Sequence, residues 1–352
     1  MKTLKFPQDE KLHDSIIEWW YFNGHLKSED GNAYTFMDCL FKAKTKAVKI
    51  PFLSNLPKKI IYFSHSILSD IKNQKNYPVI DYLSMISKDS WTKPLLFVNY
   101  INPLIVGGYV NSAIEQTDLN QYRIKTENLD LNLTSIKQPL TEGGSGFLKL
   151  GNTKSTFYYS LTNLKTEGVI KVRDKWIKVT GKSWMDHQWA DVSYTKDYWT
   201  WFSIQLENNI ELVCFEYREK DNKTYLASIS NQNDQQEHFK AVKLTPIGQA
   251  WKSKKTKAIY YLSWRIEVPA KNIDLVVKPL VEDQEIIFGT INYWEGPISV
   301  EGKFNNQSVK GQGFIELVGR HSQYGNLKFI REEISNRMKN IYTDLKKINH
   351  FK

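Results

Sequence analysis

The residues best suited to chemistry in this 352-residue chain are carboxylates and imidazoles set among aromatic side chains. The densest run is Trp184-Met185-Asp186-His187-Gln188-Trp189, which follows Gly181, read here as a turn. On a strand, alternate side chains face opposite ways. Trp184, Asp186 and Gln188 then share one face, and Met185, His187 and Trp189 the other. Glu18 ahead of Trp19 and Trp20, His65 inside an apolar segment, and Glu295 ahead of Gly296-Pro297 have similar surroundings. A carboxylic acid in an indole-rich, low-dielectric pocket keeps its proton near neutral pH. Such an acid can protonate an alkene or polarise a carbonyl. Aromatic faces stabilise a developing cation, and an imidazole can orient or deprotonate a water. Each residue also has a structural alternative. Asp186 and His187 can be buried groups satisfied by neighbours, His65 a satisfied core residue, Glu18 the partner of a Lys or Arg, and Glu295 the brace of a turn. The same parts could hold an apolar ligand without turning it over.

Other chemistries find little support. The seven His include no i, i+4 pair and no His-x-His, so no metal site is expected. Gly143-Gly144-Ser145-Gly146 lacks the helix context of a phosphate loop or a nucleophile elbow, and no dinucleotide fingerprint exists, so no cofactor is expected. Cys39 and Cys214 lie in separate apolar segments and read as two buried thiols. The net charge of +10 comes mostly from scattered Lys, the pattern of a solvated surface and not of a nucleic-acid groove. No run of about 18 apolar residues marks a membrane span. The Met1–Pro7 segment lacks a secretory signal's apolar region, so a cytoplasmic location is expected. The basic stretch from Lys44 to Lys59 carries Ile50, Phe52, Leu53 and Leu56. It reads as a packed flap, with a lid or a peripheral membrane contact as alternatives.

Most of the chain is strand chemistry: short β-branched and aromatic runs separated by Gly, Asn and Asp turns. Clear examples are Ile16 to Leu26, Tyr34 to Phe41, Ile60 to Ser69, and a hairpin of Tyr198 to Gln205 with Glu211 to Arg218 across Asn208-Asn209. Phe157 to Asn163, Glu167 to Val172 and Lys175 to Thr180 read as three separate short strands. This regular spacing marks an all-β sandwich or barrel. The length favours two domains, drawn at 1–191 and 192–328. Beyond them, Ile330, Ile334, Met338, Ile341, Leu345 and Ile348 form one apolar stripe, which predicts an amphipathic helix over 329–352. That stripe could dock on a barrel wall or pair two copies as a homodimer.

Several motifs then fall in a recognisable order. Glu18-Trp19-Trp20-Tyr21 with Gly24, His65 with Asp70, Trp184 to Trp189, Trp199-Thr200-Trp201-Phe202, Tyr293-Trp294-Glu295-Gly296-Pro297, and Gly311 to Gly319 together resemble the lipocalin-like carotenoid 1,2-hydratase (hydroxyneurosporene synthase) superfamily. The bacterial attachment-related branch, also described as predicted secreted hydrolases, is the nearest in pattern. The resemblance implies two lipocalin-like β-barrel domains with the central motif near their junction. It also implies water addition to a carbon–carbon double bond without a redox cofactor, or cyclisation of a polyene as in fungal relatives. The expected substrate is an apolar unsaturated small molecule: a terpenoid, polyene or polyketide. Asp186 is then the proton donor, His187 or His65 orients water or substrate, and Glu18 is a supporting acid. Trp19, Tyr21, Trp184, Trp189, Trp199, Trp201 and Glu295 are the expected substrate contacts. The alternative is a carrier of a lipid or isoprenoid that uses the same cavity.

Overall fold

The computed structural model describes residues 3–45, 59–89, 95–101, 112–194, 197–288 and 291–319. Among these the regular structure is β throughout, apart from short 3-10 turns at Gln8–Glu10 and Pro269–Lys271. The expected C-terminal helix and most of the basic flap between Lys44 and Lys59 lie outside the described residues.

Two large antiparallel sheets make up the molecule. The first runs from Ile17 to Ala190 and closes on itself. Its strands pair in chain order from Ile17–Ser28 to Leu129–Ser135; Lys154–Val172 then pairs with both Leu129–Ser135 and Lys175–Ala190, and Lys175–Ala190 returns to Ile17–Ser28. Closure removes the edges that an open sheet leaves unpaired. The second sheet runs from Tyr198 to Val318. Tyr198–Leu206 lies between Glu211–Glu219 and Gln307–Val318, and Ile291–Phe304 follows on the far side of Gln307–Val318. The all-β, lipocalin-like character read from the sequence is therefore present.

The strands near the centre are longer than the sequence suggests. The three runs between 157 and 180 belong to two continuous strands, Lys154–Val172 and Lys175–Ala190, joined by a tight turn in which Arg173 and Asp174 have positive φ. Gly181 makes no turn. It sits inside the second of these strands opposite Leu26, where an added Cβ would lie 2.0 Å from the His25 carbonyl oxygen. The glycine serves close backbone approach. Likewise Gly296-Pro297 continues the Ile291–Phe304 strand, so Glu295 braces no turn there.

Three apolar cores result. Trp20, Phe22, Met185 and Trp189 point into the closed barrel. Tyr21, Trp184, Trp201, Phe215 and Phe314 fill the space between the two sheets. Phe202, Ile204, Cys214 and Trp264 pack on the far side of the second sheet. Both cysteines are buried free thiols. Over 18–24 and 183–190, the paired strands Ile17–Ser28 and Lys175–Ala190 thus form a wall largely buried on both faces.

A buried ion pair ties the sheets together at one end. The Lys137 ammonium lies 2.6 Å from Glu211 Oε2 and also donates to the carbonyls of Asn209 and Asn231, while Asn163 donates to Glu211 Oε1 at 2.8 Å. Removing one partner of a buried pair strands the other charge. Lys137→Met should therefore lower stability by about 3 kcal/mol, read as a fall in the urea midpoint with the slope unchanged. A change within error would mean the pair does not hold the sheets together.

Candidate active site

The two-faced wall decides which residues can meet. Residues of even number on Lys175–Ala190, Trp184, Asp186 and Gln188, face the second sheet, as the alternation predicts. Met185, His187 and Trp189 face the barrel interior. On Ile17–Ser28 the pairing Glu18↔Trp189, Trp20↔His187 and Tyr21↔Asp186 carries the same division across. The expected constellation therefore separates into two groups on opposite sides of one sheet.

The barrel-side group contains Glu18, His187 and Trp189, and none of these reaches the cavity. Glu18 is fully buried and receives Lys42 Nζ at 2.5 Å, His13 Nδ1 at 2.8 Å and His187 Nε2 at 3.0 Å. Burial pushes the Glu18 carboxyl up, but the hydrogen bonds from His13 and His187 and the Lys42 charge outweigh it and hold it at about 2. His187 is pushed down to about 4 by burial, against the pull of Glu18, so it is a neutral ring that donates its Nε2 proton. It stacks on Trp20, and His13 stacks on Trp189 at 3.7 Å between centroids. The ligand atoms of His13, Glu18 and His187 lie within 4.8 Å of one another, close enough for a metal. Lys42 already supplies the positive charge there, and both imidazoles face the carboxylate as donors. The group is a buried salt-bridge network, the Lys partner anticipated for Glu18.

The second group lines a cavity of about 240 Å³ between the sheets. Asp186 comes from the barrel wall; Glu295 and Glu316 come from the second sheet, directly opposite one another on adjacent strands. His65, Tyr21, Tyr158, Trp19, Trp199 and Trp201 complete the working surface. Trp184 is buried behind it and donates its indole N–H to Asp186 Oδ1 at 2.6 Å. Among the described residues no Lys or Arg lines this cavity. An apolar cavity of about 150 Å³ accommodates benzene, so this one has room for more than a single ring.

Hydrogen bonds fix each acid. Asp186 Oδ1 also accepts from Ser160 Oγ at 2.6 Å, and Oδ2 accepts from the Tyr158 hydroxyl at 2.8 Å. Trp201 Nε1 donates to that hydroxyl from the second sheet, which commits the tyrosine proton to Asp186. Tyr21 donates to Glu295 Oε1 at 2.7 Å, and Asn23 donates to the Tyr21 oxygen, committing that proton in the same way. Trp199 Nε1 donates to Glu316 Oε2 at 2.9 Å. Burial pushes Asp186 up to about 7 against the hydrogen bonds from Ser160, Trp184 and Tyr158. Burial also raises Glu316 to about 7, and burial and then the Glu316 charge raise Glu295 well above the carboxylate range. His65 is pushed down to about 3 by burial. Its Nδ1 lies 2.6 Å from the Tyr293 hydroxyl, and its buried Nε2 has no partner. The site therefore holds acids raised to or above about 7, a neutral imidazole with one unused nitrogen, and indole faces.

Of the residues anticipated from the sequence, Asp186, His65, Glu295, Trp19, Tyr21, Trp199 and Trp201 line the cavity, with Trp184 behind Asp186. Glu316, Tyr158, Ser160 and Tyr293 were not anticipated. The signal for Glu316 was available: Phe314, Glu316 and Val318 alternate on one face, an acid in a row of apolar residues.

Comparison with known proteins agrees with this architecture. Residues 1–320 match the AttH-like family, and the chain belongs to it, within the superfamily that the motifs resemble. The crystal structure of an AttH from Nitrosomonas europaea is 25% identical and superposes with a TM-score of 0.75, covering 91% of this chain and 98% of that one. Kievitone hydratase from Nectria haematococca shares the fold at 17% identity, with a TM-score of 0.71 over 90% of this chain and 93% of that one. In sequence, the chain is 24% identical to a kievitone hydratase of Fusarium solani subsp. phaseoli over 198 residues, and 24% identical to the dehydratase asqC of Emericella nidulans over 205. Those matches cover 54% of this chain and only 56% and 57% of the two fungal enzymes, about half their length.

The raised acids make a testable mark on stability. A carboxyl whose folded value lies above its ordinary one stabilises the fold fully below the ordinary value, and that contribution is lost as pH rises through the folded value. For Glu316 the window runs from about 4.5 to about 7. Glu316→Gln, which cannot ionise, should gain stability relative to the parent between pH 4 and pH 8, by on the order of 2 kcal/mol. Parallel urea midpoints at the two pH values would show Glu316 ionised in the fold if the two proteins kept a constant difference.

Proposed function

We propose that this protein is a cofactor-independent acid–base enzyme of the hydratase or dehydratase kind, acting on an uncharged, largely apolar unsaturated small molecule such as a terpenoid, polyene or polyketide. The observation that carries this reading is the cavity itself: the buried Asp186 and Glu295, the partly buried Glu316 and a neutral His65 face one aromatic space that has no Lys or Arg among its described lining, while the fourth lining carboxyl, Asp197, is taken up by Lys154. Such a space disfavours anions, because no cation offsets their desolvation. It suits a neutral substrate that passes through a cationic transition state, which indole faces and an ionised carboxylate can stabilise. The two fungal relatives named as a hydratase and a dehydratase support the reaction class.

In the hydration direction, Asp186 gives its proton to one carbon of the double bond. A water attacks the other carbon and loses its proton to the Glu295–Glu316 pair. Two carboxyls on directly opposite strand positions disfavour being ionised together, so one can accept while the other stays neutral. His65 Nε2 is the free group that positions the water or a substrate hydroxyl. Dehydration runs the same steps in reverse. Trp19, Tyr21, Trp199 and Trp201 supply the walls. Glu18, His187 and Trp189, buried on the barrel side, hold the wall in place and have no part in the chemistry.

The test starts with native mass spectrometry of protein purified from its own cells, to identify any retained molecule. That molecule, and kievitone as the compound in a relative's name, are incubated in oxygen-18 water and followed for gain or loss of one water. Asp186→Asn and Glu295→Gln should each slow turnover by about a hundred- to ten-thousand-fold while ligand affinity stays within a few fold. A wild-type protein that binds its ligand tightly and never converts it is a carrier, and the enzyme reading is then wrong.

A further inference from the structure

Behind Asp186, on the side away from the cavity, lies a second acid that the reaction above does not use. Glu142 is fully buried in the turn after Leu140–Thr141, a short strand paired with Lys154–Val172. Its Oε1 accepts from Ser160 Oγ at 3.2 Å, the same hydroxyl that lies 2.6 Å from Asp186 Oδ1. Its Oε2 has no partner within hydrogen-bond distance, although the Ser228 hydroxyl lies close enough to bear on the carboxyl. Ser228 Oγ in turn lies 2.9 Å from His238 Nδ1. His238 is half-buried on Gln236–Phe239, the outermost strand of the second sheet, beneath the Gly143-Gly144 turn. Ser160, Glu142 and Ser228 are each 0% exposed. The row thus runs from a partly exposed imidazole to the cavity acid through groups that bulk water does not reach.

Ser160 can donate and accept, so the three inner groups have two complete hydrogen-bond arrangements. In one, Asp186 carries the proton and donates to Ser160, which donates to Glu142. In the other, Glu142 carries it and donates to Ser160, which donates to Asp186. They differ only in which acid holds the proton, which is the before and after of a transfer. Burial pushes Glu142 up to about 8, so it enters the cycle neutral near pH 7.

We infer that His238, Ser228, Glu142 and Ser160 form a proton path that recharges Asp186 from the outer surface while substrate fills the cavity. After Asp186 gives up its proton, the Glu142 Oε1–H proton passes to Ser160 Oγ, and the hydroxyl proton of Ser160 passes to Asp186 Oδ1. Glu142 is left as a carboxylate. His238 takes a proton from solvent at its outer nitrogen, the imidazolium gives its Nδ1–H proton to Ser228 Oγ, and Ser228 passes its own to the Glu142 carboxylate. Each transfer breaks one bond to hydrogen and forms one; a pass takes one proton from solvent and leaves His238 as its other neutral tautomer, which must return to the Nδ1–H form before the next pass. Ser160 and Glu142 act through Asp186 and are positioning residues. The inference rests on Asp186 being the proton donor.

Infrared spectroscopy of the intact protein tests it without a known substrate. At pH 7 the protonated-carboxyl band should lose one component in Glu142→Gln and another in Asp186→Asn. On transfer to heavy water, the Glu142 component should shift promptly in the wild type. In Ser228→Ala and in His238→Gln the shift should be slower by about tenfold, the rate equivalent of one missing hydrogen bond. A spectrum unchanged by Glu142→Gln, or an exchange rate equal in all three proteins, overturns the path. An unchanged spectrum in Asp186→Asn instead removes the donor role of Asp186, so the two failures are distinct. Retention of the far-ultraviolet dichroism of the wild type confirms that each variant is folded; Ser228→Thr, which keeps the hydroxyl, should restore the wild-type rate.

Discussion

The molecule depends on the paired segments 18–24 of Ile17–Ser28 and 183–190 of Lys175–Ala190, which are largely buried on both faces. A strand with water on one side can send its polar residues there. These segments cannot, so every polar side chain on them must find a partner inside the protein or carry a raised energy. Their alternation sorts those side chains into two enclosed spaces. Glu18 and His187 enter the barrel, and Tyr21, Asn23 and Asp186 enter the gap between the sheets. The closed barrel behind them keeps the wall from shifting register, since a slip of one residue would exchange the two sets.

The two spaces treat the same chemistry in opposite ways. Glu18 and Glu295 are both buried glutamates on aromatic strands. Glu18 has an ammonium and two ring nitrogens pointed at it and is held ionised. Glu295 has one phenol hydroxyl and another glutamate beside it and keeps its proton. The difference lies in the donors on Glu18: the hydrogen bonds from His13 and His187, and the charge of Lys42, placed on the barrel face of Ala33–Lys44 by the same alternation. One acid is thus ionised by the donors that hold the fold, and the other is left protonated beside a second acid.

Much of this was legible in the sequence. The β-branched and aromatic runs announced an all-β protein, and period-two alternation divided Asp186 from His187 correctly. The motif order around Trp19, Trp184, Trp199 and Trp294 pointed to the right superfamily. What could not be read was which face of each strand met which neighbour. Glu18 and His187 seemed to belong with Asp186 because they are close in sequence or alike in surroundings, yet facing is set by pairing partners hundreds of residues apart. Glu142 went unseen for the same reason, because it becomes significant only beneath Ser160; Glu316 had a local signal in its apolar row, but its pairing opposite Glu295 did not. Gly181 looked like punctuation because a glycine that permits close backbone approach has the same signature as one that turns the chain.

The indole hydrogen bonds to the acids carry a further consequence. Trp184 donates to Asp186 and Trp199 donates to Glu316, so two of the chain's eleven tryptophans are bonded directly to carboxyls that burial raises to about 7. An indole excited state is sensitive to a charge placed at its N–H. Emission colour and yield therefore follow the ionisation of the carboxyls, and the protein carries its own optical indicator of the state of its site, built from the same contacts that hold the acids in place.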